Sequence, residues 1–190
     1  MRTLISTAFV SLDGVVEAPG GEEGYRNSGW TFKDIEFLPE AYEIKDREQR
    51  EAAAMLLGRT SYEAFSAVWP DMEDFARYRT LPKYVVSTTL AEDALVPNWG
   101  ETSILRSLEE VAALKRTEGG PVVVHGSAAL TRSLADADLI DRYHLLVFPF
   151  LLGAGKRLFS TADKDARKLR LVEHEAYANG IQKNVFDVVR

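Results

Sequence analysis

Three times in this chain a short apolar run breaks off at a glycine or a hydroxyl. "MLLGRTSYEAF" does so at Gly58-Arg59-Thr60-Ser61. "KYVVSTTL" does so at Ser87-Thr88-Thr89, and "PVVVHGSAALTRSL" at Gly126-Ser127-Ala128-Ala129. Short β-rich runs bounded by turn residues read as buried strands, and the segments after Gly58 and Gly126 carry helical spacing. Strands that alternate with helices build a mostly parallel sheet covered by helices. In such sheets ligands sit beyond the carboxyl ends of the strands. The three endings are therefore candidates for one shared crevice.

The remaining segments fit this frame. A first strand spans Thr3 to Val10 and ends in "SLDG" at Ser11 to Gly14. Glu17 to Ser28, rich in glycine, reads as a long irregular loop, and such a loop within a compact domain is often functional. Helices are expected over Pro39–Ala53, Thr60–Val68 and Ser107–Lys115, the last with Ser107 and Glu110 in a capping-box spacing. Strands are expected over Ala54–Leu57, Lys83–Leu90 and Tyr143–Phe150. Two alternating runs joined by Asn179-Gly180 predict a terminal antiparallel hairpin, because this dipeptide tolerates positive φ at both turn positions.

With 190 residues, 46% of them hydrophobic, the chain can form a single domain, residues 1–190, around one sizeable core. A net charge of -6 argues against a nucleic-acid binder but leaves room for a local anion site. There is no cysteine, which excludes disulfides, thiolate catalysis and thiolate-bound metals. His125, His144 and His174 fall in no metal-binding spacing, so no metal is expected, and strand periodicity gathers them into no cluster. No apolar run reaches the ~18 residues of a membrane span, and the N-terminus lacks a signal-peptide core. A cytoplasmic protein without membrane partners is the expectation.

The chemistry of the strand ends points to phosphate. A helix N-terminus offers free amides and the positive end of its dipole. Glycine lets the backbone approach closely, and serine or threonine hydroxyls add hydrogen bonds. Ends at Gly58 and Gly126 could share one pyrophosphate, while Arg59 could fork onto a further phosphate with Ser87 and Thr88 nearby. A diphosphate with an extra monophosphate describes NADPH. Each junction taken singly is more often plain turn and N-cap chemistry, and there is no GxGxxG. The combination carries the argument.

These segments, with "SLDG" and "VVVHGSAALTRSLADADLIDRYHLLVFPFLLGAGKRLF", come in an order and spacing that resemble the RibD C-terminal domain family over nearly the whole chain. That resemblance implies a dihydrofolate reductase-like α/β fold: a mostly parallel central sheet flanked by helices, with an antiparallel C-terminal hairpin. It implies NADPH, with Arg59 toward the adenosine 2′-phosphate beside Ser87 and Thr88. Thr60, Ser61 and the amides of Gly126, Ser127, Ala128, Ala129 and Leu130 would hold the pyrophosphate. Ala8 and Val16 would lie near the nicotinamide. It also implies a homodimer through the C-terminal strands. The zinc motifs of a deaminase, HxE and PCxxC, do not occur among these residues. Dihydrofolate reductases carry a buried carboxylate on the helix after the first loop; here that helix has several candidates and no clear match.

Hydride transfer also calls for a proton donor within reach of the acceptor. Asp13, at the end of the first strand, is the first candidate; its alternative is a turn that ties Asp13 to its own backbone. Asp34 and Glu36 are weaker candidates. Trp30, Phe32, Phe37 and Trp69 could line a pocket for a flat heterocycle, although at least two of the four are expected in the core. Lys33, Lys156 and Arg157 could meet a substrate phosphate, and Gly153 and Gly155 mark a loop near the site's mouth. The resulting expectation is an NADPH-dependent reductase of a small heterocycle. The first substrate is 5-amino-6-(5-phosphoribosylamino)uracil, as in riboflavin biosynthesis, and the second dihydrofolate. The reading from another class is an NADPH-binding dimeric sensor or scaffold without catalysis.

Overall fold

A computed structural model of the chain describes residues 1–160 and 165–190. In chain order the elements are β1 (Leu4–Ser11), α1 (Pro39–Glu51), β2 (Ala54–Gly58), α2 (Arg59–Ser66), α3 (Ala76–Thr80) and β3 (Lys83–Val86). There follow β4 (Thr102–Leu105), α4 (Leu108–Arg116), β5 (Val122–His125), α5 (Ala128–Asp136), β6 (Arg142–Phe148), β7 (Leu169–Ala176) and β8 (Gln182–Val188). The strands form one sheet in the order β4-β3-β2-β5-β1-β6-β8-β7. The first six of these run parallel, and β8 pairs antiparallel with both β6 and β7. The expected mixed sheet is present.

Alternation along the strands sorts side chains between two faces. On one face Leu4, Val10, Leu56, Val124 and Leu145 pack under α4 and α5 through Val111, Leu130 and Leu134. On the other, α1 lays Ala41 and Ile44 against Leu146 and Phe148, and Tyr62 of α2 joins Met55, Leu57 and Trp99. The chain leaves β1 toward one face and β5 toward the other. Between these adjacent strands lies the topological switch point, where open α/β sheets bind ligands.

Several boundaries differ from expectation for local reasons. β3 stops at Val86 rather than Leu90 because the Ser87 hydroxyl accepts the amides of Thr89 and Leu90 at 3.2 and 3.0 Å and turns the chain. The strand β6 ends at Phe148, where the Phe150 amide folds back onto the Phe148 carbonyl. The hairpin at Asn179-Gly180 forms, but only Gly180 has positive φ, at 85°. Asn179 instead accepts the Ile181 amide and donates to the Glu36 carbonyl. Ser107 caps α4 by accepting the Glu110 amide, as the capping box predicts, while Glu110 reaches past Ser107 to the amide of Arg106.

Candidate active site

The crevice is built by unequal strand lengths. β1 pairs with β5 only from Leu4↔Val122 to Thr7↔His125, but with β6 as far as Ser11↔Phe148. Beyond Thr7 the side of β1 that faced β5 is left open, and Ala8 is its first residue there. The chain leaves β5 through Gly126 and Ser127, which both take left-handed backbone angles, φ 63° and 59°. For serine this conformation costs roughly 1 kcal/mol, so something must hold it.

Two hydrogen bonds do. The Gly58 amide donates to Ser127 Oγ at 2.9 Å, and the Ser127 amide donates to Ser61 Oγ at 3.0 Å. These bonds lace the start of α2 to the start of α5. Among the described residues no side chain caps either helix. The amides of the first turns, Arg59 to Ser61 and Ala128 to Leu130, are thus left for an anion, which the dipoles of both helices favour. A Cβ on Gly126 would stand 3.2 Å from Phe65 and 3.3 Å from Ser61 Oγ, so a side chain there would crowd the notch. A diphosphate fits this pair of ends.

Arg59 stretches from the start of α2 toward the turn after β3. Its guanidinium donates to Thr89 Oγ1 at 2.9 Å and pairs with Glu63 at 2.7 Å, both side chains about half exposed. Thr60 and Thr88 are exposed beside it. Ser87 is buried, and its hydroxyl is taken up by the turn amides it accepts. Its carbonyl accepts from Arg106, which fixes the turn. Ser87 therefore shapes the surface around Arg59 rather than offering its own hydroxyl. Ala8 and Val16 are partly buried against the core on the α5 side.

Asp13 does not have the character of a proton donor. Its carboxylate accepts Ser11 Oγ at 2.6 Å and the amides of Leu152 and Gly153 at 3.1 and 2.8 Å. The Ser11 hydroxyl, and then these amides, hold its pKa at about 2 against the cost of desolvation. A group ionised so far below neutrality has no proton to give. Asp13 is a clasp that ties the end of β1 to the loop after β6, and Arg157 completes it by donating to the Asp13 and Gly153 carbonyls.

The proposed aromatic lining is also redistributed. Trp30 and Trp69 are core residues; the Trp30 indole packs edge-on against Phe148 and donates to the Glu17 carbonyl at 2.8 Å. Trp30 is thereby withdrawn from substrate binding. Phe32 and Phe37 are exposed, Phe37 stacking on Tyr42 with ring centroids 5.1 Å apart. Asp34 is an exposed residue of the same loop with φ 55°. Lys156 pairs with Glu17 at 3.1 Å, and Lys33 donates to the Ser28 carbonyl at 2.5 Å, so each already has a partner.

Sequence reasoning missed a polar group on the crevice floor. Thr7 stands between His125 of β5 and His144 of β6 in one rung of the sheet. Above them α1 places Glu48, 3% exposed, which accepts Thr7 Oγ1 at 2.8 Å and lies 2.9 Å from His144 Nδ1. Lys45 joins from one turn earlier, 3.3 Å from Glu48 and bonded to Thr7 Oγ1. Glu48 is thus the buried carboxylate on the helix after the first loop. Burial alone would raise its pKa, but Lys45 and His144 hold it at about 2. Burial pulls Lys45 below the usual lysine range against the attraction of Glu48, and burial with the Lys45 charge takes His125 to about 4. One signal was legible: Glu48 occupies the apolar stripe set by Ala41 and Ile44.

Among the described residues no helix is long and apolar enough to cross a membrane, and no group of three or more His, Asp or Glu could hold a metal. Residues 2–183 match the family described as the RibD C-terminal domain. The uncharacterized protein YyaP of Bacillus subtilis is 27% identical over 97% of this chain and 94% of its own length. A putative riboflavin biosynthesis protein from Shewanella sp. PV-4 superposes with a TM-score of 0.75 at 17% identity, covering all of both chains. Dihydrofolate reductase from Enterococcus faecalis, solved with NADP(H), gives 0.58 at 15% identity over 99% of this chain and 97% of its own. The fold is therefore dihydrofolate reductase-like, and the chain belongs to the RibD C-terminal domain family.

Proposed function

We propose that the protein is an NADPH-dependent reductase of a small heterocycle. The observation that carries this reading is the pair of uncapped helix starts laced together at Gly58, Ser61 and Ser127, with Arg59 reaching out beside them. NADPH, when bound, supplies a hydride from its nicotinamide. The chain's own contribution is placement. The first turns of α2 and α5 hold the diphosphate, Arg59 takes the 2′-phosphate in exchange for its exposed pairing with Glu63, and the open side of β1 at Ala8 receives the nicotinamide. Orientation of this kind is the larger part of what a hydride-transfer enzyme must provide. Family membership favours 5-amino-6-(5-phosphoribosylamino)uracil as first substrate, and the likeness in fold to a dihydrofolate reductase makes dihydrofolate the second. The engagement of the Asp13 carboxylate by Ser11 and by the Leu152 and Gly153 amides favours a second reading, a cofactor-binding sensor without turnover.

Tryptophan fluorescence provides the test, since Trp69 stacks on Phe65 at 4.1 Å and Phe65 borders Gly126. NADPH is expected to quench the emission and to bind more tightly than NADH. Arg59→Ala should weaken NADPH by about 10–100-fold, the value of a charge-assisted phosphate contact, with little effect on NADH. Equal losses for both would remove Arg59 from the 2′-phosphate. Binding without oxidation across pterins, pyrimidines and quinones would select the sensor. We also propose a homodimer through β7, a free sheet edge with Leu171 and Val172 exposed.

A further inference from the structure

The rung Thr7–His125–His144 and the Lys45–Glu48 pair lie at the root of the crevice, where β1 and β5 part. A buried charged group at that depth calls for a reason, because well-packed apolar residues in place of a buried ion pair are often at least as stable. The group is also incompletely satisfied. His125 Nδ1 and His144 Nε2 are shielded from solvent and have no hydrogen-bond partner among the described residues. Buried polar atoms without partners are rare in folded proteins, and a catalytic role is one recognised reason for them. Of the ion pair Lys45 is the partner nearer solvent, with its side chain 15% exposed against 1% for Glu48. Its ammonium lies 5.1 Å over the Phe9 ring.

The arrangement reverses what a bare carboxylate would offer. Glu48 Oε1 already receives Thr7, His144 and Lys45, and Oε2 faces Lys45. The carboxylate is spent on its neighbours, and a cation stands in front of it. A ligand entering past Lys45 meets hydrogen-bond donors and positive charge. Facing groups on the other packed elements do not change the sign: His125 from β5 and His144 from β6 are imidazoles, and Thr7 from β1 is neutral. Tyr78 from α3 has its hydroxyl pushed above the usual tyrosine range by burial and by Glu48.

We propose that Lys45, held by Glu48, is the residue that sets which edge of a heterocycle the crevice accepts. It admits an edge of hydrogen-bond acceptors, carbonyl or enolate oxygens, and turns away an amino-substituted edge that binds as a cation. This rests on the reductase reading and sharpens it, because it separates the two candidate substrates by the chemistry of their rings. Specificity of this kind comes as much from a mismatched charge as from a good contact.

Two flat probes of one shape make the test: lumazine, with a dioxo edge, and 2,4-diaminopteridine, with an amino edge. Both are titrated into the full chain with and without NADPH, and NADPH binding is measured separately. The wild-type chain is expected to bind lumazine at least about tenfold more tightly, a difference of ~1.4 kcal/mol. Lys45→Arg should keep the preference, and Lys45→Met should bring the ratio near one or reverse it. Should Lys45→Met fail to fold with Glu48 unpaired, Lys45→Met combined with Glu48→Gln must lose the preference in its place. A wild-type chain that favours diaminopteridine, shows no preference or binds neither probe overturns the proposal. So does a Lys45→Met variant with the ratio intact. If lumazine preference holds while NADPH fails to bind, the reductase reading falls and the assignment of Lys45 stands.

Discussion

Replacing Asp13 by asparagine separates a clasp from a catalytic acid. In the wild-type chain Oδ1 accepts Ser11 Oγ and the Leu152 amide, and Oδ2 accepts the Gly153 amide at 2.8 Å. An asparagine keeps one acceptor and turns the other position into a donor facing that amide. The Asp13 carboxyl sits at about 2 against an ordinary 3.8, a gap that corresponds to ~2 kcal/mol. Screening at this partly exposed rim reduces the figure to about 1–2 kcal/mol. For a domain of this size that is a fall in Tm of roughly 2–8 °C. The folded pKa lies below the unfolded one, so the contribution is complete above the unfolded value and is lost as pH falls toward 2. Urea unfolding of Asp13→Asn and wild type, from pH 7 down to pH 3, should give a constant gap above pH 5 that narrows below pH 4. An unchanged midpoint at pH 7, or a gap that ignores pH, would refute the clasp.

Two other expectations concern packing and assembly. Gly155 has φ 147° and a Cβ there would come 2.6 Å from Val15 Cγ1, whereas Gly153, at φ 76°, has open space around it. Gly155→Ala should therefore cost about 1–3 kcal/mol in urea unfolding and Gly153→Ala about 1 kcal/mol, and equal costs would refute the close approach. Leu171→Glu should convert a dimer into a monomer by light scattering, since a charge placed on an exposed strand edge opposes pairing. A wild-type monomer, or a variant that stays dimeric, would remove β7 from the interface.

The two halves of the crevice differed in how much of them the sequence revealed, and the reason is chain distance. The half at Gly58, Arg59 and Gly126 is made from residues that directly follow a strand. An apolar run, a residue able to take an unusual backbone angle and a helix start can all be read in one window of sequence. The floor is made across strands. His125, Thr7 and His144 become neighbours only through the register of β5, β1 and β6. No local pattern encodes that register, so the histidines read as scattered. β4 was missed for a related reason: "TSIL" is short and lies at an edge, with no residue fully buried, so periodicity has little to report. The aromatics misled in the opposite direction. Trp30 looks available in sequence, but the Glu17 carbonyl satisfies its indole and lets the ring go inside.

His125 joins the two halves. It is the last residue of β5, it shares its rung with Thr7, and the next residue is Gly126 of the notch between the starts of α2 and α5. The backbone that forms this notch thus starts from the residue that borders the Lys45–Glu48 group. Phe65 and Trp69 pack edge-on against the same imidazole, at 5.8 and 5.0 Å, and so brace it from the α2 side. A change of charge on the floor acts on the residue from which the notch departs. On the reading proposed above, cofactor affinity should therefore respond to substitutions at Lys45 even though the side chain lies outside the notch at Gly58, Ser61 and Gly126. The same fluorescence titration reads this directly: Lys45→Met should shift NADPH binding measurably, while Lys45→Arg should not. An identical NADPH affinity in all three proteins would show that the two halves are energetically independent.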